Sequence, residues 1–162
     1  MKNQQPIKKE IGGYTFYIRP MSAMRCAYVS GELATVLVPL VTTLLPLAGG
    51  EEISDKTVVE SAPAIAGAFS TLSGEKVQKL LSALLIEDGC IGVEGPDING
   101  AVFLDKDTLN TVFAGNAQNM FILAFHVINI NFGDFFGTLG AQCGTAFEKL
   151  RTPMTASQSM AN

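Results

Sequence analysis

Residues 116–139, N-A-Q-N-M-F-I-L-A-F-H-V-I-N-I-N-F-G-D-F-F-G-T-L, constrain the fold more than any other part of the chain. They hold five of the ten phenylalanines and the only histidine, and no carboxylate, lysine or arginine occurs among them before Asp134. On a helix turning about 100° per residue, Phe121, Phe125, Ile128, Phe132 and Phe135 form one stripe, with Leu123, Val127 and Ile130 beside it. Asn119, His126 and Asn129 gather with Gly133 in the remaining sector. Apolar residues therefore cover more than half the circumference. That suits a helix enclosed by several neighbours, or one that keeps a face for a partner.

The rest of the chain supports the same picture. Its 162 residues suffice for one domain with a substantial core. Apolar residues make up 48% and charged residues only 16%, so the surface is short of charge and some apolar area is open to cover by another chain. A formal net charge of −4 argues against a general nucleic-acid binder. The charge is unevenly spread: residues 1–25 set Lys2, Lys8, Lys9, Arg19 and Arg25 against Glu10. Residues 87–107 set Glu87, Asp88, Glu94, Asp97, Asp105 and Asp107 against Lys106. These are either two separately solvated surfaces or two regions that pair, within a chain or between chains. Cys26, Cys90 and Cys143 are distant from one another and odd in number, the pattern of reduced, mostly buried thiols in a cytosolic protein. The opening M-K-N-Q-Q-P lacks the apolar run of a secretion signal.

Read in order, residues 7–18 form a hairpin, with Gly12 and Gly13 at the turn, and Pro20 and Ser22 lead into a helix from Ala23 to about Leu47. Residues 33–50 carry no formal charge, so a membrane span has to be weighed. Three threonines, two prolines and the lack of basic or aromatic flanks favour a buried helix instead. Residues 51–57 read as a polar link, and 58–72 as a helix with Pro63 near its first turn. Residues 75–86 form a helix on Val77, Leu80, Leu81, Leu84 and Leu85, with Ser73-Gly74 before it. Four glycines and a proline break up residues 87–100, leaving room for a short strand at 90–94 that could pair with 101–104. Asp105 or Asp107 caps a short helix through Phe113, which Gly115 stops, and Asn116 caps the long apolar helix. Residues 154–162 lack periodicity and read as a flexible tail. The fold expected is mainly α: one small helical domain over 1–153, with an N-terminal β-hairpin and room for a second short hairpin.

A search for chemistry returns little. His126 would have to serve any histidine-based catalysis, yet it falls with Asn119 and Asn129 as a solvated or hydrogen-bonded structural residue. No local ligand pair supports zinc, and residues 97–100 place glycine too early for an EF-hand. The glycine spacing over residues 67–76 is wrong for a phosphate loop. No catalytic residue, metal or cofactor is expected. What remains is apolar surface: Phe132, Phe135, Phe136 and Leu139 continue the stripe among Gly133, Gly137 and Gly140. They either cap the domain's own core or bind a partner's amphipathic helix, and they are the candidate partner-binding residues.

Two stretches carry a family resemblance: G-G-Y-T-F-Y-I-R-P leading into a helix, and F-L-D-K-D-T-L-N-T-V-F-A-G-N-A-Q-N-M-F-I-L-A-F-H-V-I-N-I-N-F-G-D-F-F-G. In both, the chain resembles the small tail assembly chaperones of tailed bacteriophages. The resemblance implies a mostly helical, non-enzymatic protein of the host bacterial cytoplasm. It also implies that the protein binds the phage tape-measure protein before the tail tube polymerises, with no nucleic acid or membrane as partner and with a homo-oligomer left open. The alternatives are a structural subunit of a tail or other virion component, a membrane-active protein of holin type built on residues 33–50, and a small enzyme built on His126.

Overall fold

The computed structural model describes residues 5–44, 55–60 and 62–133, with the side chains of 34–44, 57, 58, 64, 65 and 68 excepted. The chain divides into two compact units, Met1–Asn131 and Phe132–Asn162. All the elements below lie in the first unit, apart from Phe132 and Gly133 at the end of the last helix.

The fold is α+β, which corrects the expectation of a mainly helical domain carrying hairpins as attachments. Strands β1 (Ile7–Ile11) and β2 (Tyr14–Ile18) form the expected N-terminal hairpin. Gly12 at φ 59° and Gly13 at φ 85° supply the two positive angles that a tight two-residue turn requires. Strands β3 (Ile91–Gly95) and β4 (Ile98–Phe103) form the second hairpin. β2 then pairs antiparallel with β3, giving one four-stranded sheet in the order β1-β2-β3-β4. The register sets Phe16 against Val93 and Ile18 against Ile91, and all four side chains are at most 1% exposed. Alternation along each strand puts these residues on one face, and that face is core.

This union also joins the basic and acidic regions of the sequence. Tyr14 donates its hydroxyl to Asp97 and Tyr17 to Glu94, each at 3.1 Å. The Tyr14 ring lies over Gly95, where a Cβ would stand only 2.2 Å from it, so glycine is required there by a close approach. Arg25 closes the junction with a 2.6 Å bond to Glu87 and a 2.8 Å bond to the Ala83 carbonyl.

The helices begin where short polar residues satisfy their first amides. Ser22 accepts from Arg25 N–H at the start of α1 (Ala23–Leu44). The link expected at residues 51–57 turns helical at Asp55, as α2 (Asp55–Glu60), and α3 (Ala62–Ser70) carries Pro63 in its first turn. Ser73 caps α4 (Gly74–Leu85), which buries Leu80, Leu81, Ala83, Leu84 and Leu85. Asp105 accepts from Thr108 N–H at 2.7 Å and caps α5 (Lys106–Val112). Gly115, at φ 73°, turns the chain into α6, helical over residues 117–133.

α6 is enclosed, and its buried face takes in only part of the expected stripe: Ile128 belongs to that stripe, and Leu123 and Val127 lie beside it. Ile122, Leu123, Ala124, Val127 and Ile128 are buried, whereas Phe121 and Phe125 are half-exposed. Asn131 fixes its far end: the side chain accepts from Met21 N–H at 2.7 Å and donates to the Val127 carbonyl at 2.8 Å. Among the described residues no helix is long and apolar enough to cross a membrane. The segment weighed as a span, residues 33–50, lies outside them from residue 45 onward, and so does the tail expected at 154–162.

Candidate functional site

Two aromatic pairs mark the two regions where α5 and α6 meet the rest of the first unit. Phe16 from β2 and Phe113 after α5 stack almost parallel, with ring centroids 5.7 Å apart, and both are buried. Phe69 from α3 and Phe121 from α6 stack at 5.0 Å, but only Phe69 is buried. Phe121 is half-exposed because it opens onto a groove of about 550 Å³.

That groove is the candidate site. Phe69 and Leu72 come from the end of α3, Val77 and Leu81 from α4, Leu109 from α5, and Met120 and Phe121 from α6. The capping residues dictate this arrangement. Ser73 starts α4 shortly after α3 ends, and Leu72 and Val77 both line the groove. Asp105 starts α5 so that Leu109 and Asn110 point to the same space, with Lys106 supplying a cation. Leu72, Val77, Leu109, Met120 and Phe121 are each half-exposed, and the volume lies in the range of ordinary ligand pockets. The lining is mostly apolar, with Ser70, Gln78, Ser82, Asn110 and Lys106 as polar members. Such a surface can cover apolar side chains; it offers no paired acid and base.

The titratable groups elsewhere have the same character. His126, expected as a solvated or hydrogen-bonded structural residue, is only 6% exposed, which removes the solvated alternative. Burial lowers its pKa below 6.5, the Lys9 ammonium lowers it further, and the Asp55 carboxylate partly opposes both. Lys9 of β1 and Asp55 of α2 are the charges that act on it there, and a helical wheel cannot show either. Of its companions, Asn129 is exposed and Asn119 lies against the Gly12 turn. Cys90 donates to the Asp88 carboxylate at 3.0 Å, and burial together with that acceptor pushes its pKa up to about 12. Burial raises Cys26 as well, so neither thiol is poised as a thiolate. Both are half-buried and free, and Cys143 lies outside the described residues. Among the described residues no group of three or more His, Cys, Asp or Glu could hold a metal ion.

Of the residues singled out from sequence, Phe132 is described and is 8% exposed. Phe135, Phe136 and Leu139 lie outside the described residues. Sequence reasoning missed the groove as a unit. The stripe of α4 and the phenylalanines of α6 were visible, but nothing local joins them to Leu72 and Leu109.

Taken together, these features define a small α+β protein whose described residues present an apolar groove in place of clustered titratable groups. Its family follows from comparison with known sequences: the chain belongs to the phage tail assembly chaperone proteins, TAC, whose family model matches residues 12–142. Neither a curated protein nor a solved structure matches it. Its role is that of a chaperone in phage tail assembly.

Proposed function

We propose that the chain acts without catalysis, binding the phage tape-measure protein and keeping it soluble in the host cytoplasm until the tail tube assembles. The observation that carries this reading is the groove between α3, α4, α5 and α6, whose walls hold half-exposed Leu72, Val77, Leu109, Met120 and Phe121. An amphipathic helix laid into such a groove buries its apolar face at intervals of three and four residues. Family membership supplies the process, and the groove supplies a chemistry for the client. Phe132, Phe135, Phe136 and Leu139 belong to the same proposal as a further apolar contact, with residues 1–153 as the working domain and 154–162 as its tail.

The test is co-expression with the tape-measure protein of the same phage, reading the soluble client. Val77→Asp puts a charge into the groove from a half-exposed position, so the chaperone should stay folded while soluble client falls sharply. Client that remains equally soluble with Val77→Asp would rule out the groove. Retention of the wild-type chain in purified particles would mark it as a structural subunit instead.

A further inference from the structure

The outer face of the sheet carries a feature that the groove does not use. Phe16, Ile18, Ile91 and Val93 are buried on the inner face, so Tyr17 and Gly92, which alternate with them, lie on the outer one. Gly92 pairs with Tyr17 on one side and with Phe103 on the other, before the register shifts between Val93 and Gly95. Phe103 is 63% exposed and Tyr17 is half-exposed. Two aromatic side chains thus flank a residue that has none. With Pro6, Ala101 and Arg19 they line a slot of about 360 Å³.

The two glycines of β3 are unlike each other. Over Gly95 the fold supplies a ring of its own, that of Tyr14. At Gly92 a Cβ would make only ordinary contacts, 3.7 Å from the Tyr17 side chain and 3.8 Å from the Val102 carbonyl, and φ is not positive. Glycine weakens a strand, and neither the backbone nor internal packing calls for it there. Its effect is an open floor between two rings, which suits a third ring.

Charge sets a second requirement. The Arg19 N–H donates to the Cys90 carbonyl at 2.9 Å, so the ladder continues past β2 and Arg19 lies two residues beyond Tyr17 on the outer face. It is exposed and, among the described residues, pairs with no carboxylate. The nearby acids are engaged: Asp88 accepts from the Cys90 thiol at 3.0 Å and Glu94 from the Tyr17 hydroxyl. In an extended segment, side chains two residues apart share a face, so a carboxylate at that spacing from the bound ring reaches the guanidinium.

We propose that this slot binds an aromatic side chain of a partner protein, presented in an extended segment with an Asp or Glu two residues away. At about 360 Å³, against 550 Å³ for the groove, it takes one ring rather than the face of a helix. The site stands independently of the groove and its client.

A fluorescent peptide tests it, because the chain has no tryptophan. The probe is Gly-Trp-Ser-Glu-Gly, acetylated and amidated, titrated with the protein while its indole emission is followed. The emission should move to shorter wavelength and saturate, with a Kd of about 1 mM. Gly92→Val fills the floor where a side chain has room, and should weaken binding by about tenfold or more. Phe103→Ser removes an exposed wall, should act likewise, and serves if the valine variant does not fold. Arg19→Ala should weaken binding about two- to fivefold and abolish the preference for this peptide over its Gln counterpart. Val77→Asp, in the groove, should not alter binding of the peptide. An emission that never moves overturns the proposal, as does a shift that Gly92→Val and Phe103→Ser leave intact. So does binding that Val77→Asp abolishes, which would place the peptide in the groove. Tighter binding of a peptide ending in an unblocked Trp overturns it too, since the ligand would then be a chain terminus.

Discussion

The stacked pairs Phe16–Phe113 and Phe69–Phe121 use the same chemistry in opposite settings. The first is closed: Phe16 is fully buried between the inner sheet face and the segment after α5, and its burial stabilises the fold. The second is half open, with Phe69 rooted in the core and Phe121 facing the groove. One pair holds the domain together, and the other leaves apolar area that the fold itself does not use. Sequence composition cannot separate them, because position in the sheet and helices decides which ring finds a cover.

The largest effect should come from opening the closed pair. Phe16→Ala empties a site enclosed on every side and should cost about 3–5 kcal/mol in denaturant unfolding. His126 is buried as well, and His126→Ala should cost about 2 kcal/mol, more than a solvated histidine would. It should also change the pH dependence. The folded-state pKa of His126 is lowered, so the unfolded chain binds a proton first as pH falls. Wild-type stability should therefore be full above pH 6.5 and decline as the pH falls from there towards the lowered value. The variant should lack that component, and unfolding curves at a series of pH values check both statements.

Opening the half-open pair should do much less to the fold. Phe121→Ala should cost about 1 kcal/mol while markedly reducing soluble client in co-expression. If it unfolds the protein as Phe16→Ala does, the distinction between the pairs fails. The smallest effect is expected from Lys106→Ala at the groove, within about 0.5 kcal/mol of wild type. Its readout is client capture against salt: a shallower salt dependence would mean the groove also reads a carboxylate on the client.

Much of the fold was legible where the signal is local. Ser22, Ser73 and Asp105 cap helices because their side chains reach amides three residues on, and Gly12-Gly13 turns the first hairpin. What stayed hidden is non-local. Nothing in Y-T-F-Y-I says that its free edge will meet I-G-V-E-G, and that pairing turns two hairpins into one sheet. The burial of His126 was hidden for the same reason, since Lys9 and Asp55 come to it from distant parts of the sequence. The groove needs four helices at once, and its walls read separately as ordinary core stripes.

The pairing of β2 with β3 has a consequence for the order of events at the ribosome. The N-terminal hairpin is made first, but its neighbour in the sheet follows only after all of α1 to α4 has been synthesised. An isolated two-stranded hairpin is marginal in water, and closing so long a loop is slow. Phe16 and Ile18 therefore have no completed sheet to join until Gly95 has left the exit tunnel. During that interval this chaperone of tail assembly displays a short apolar strand of its own, and is briefly as much in need of cover as the proteins it serves.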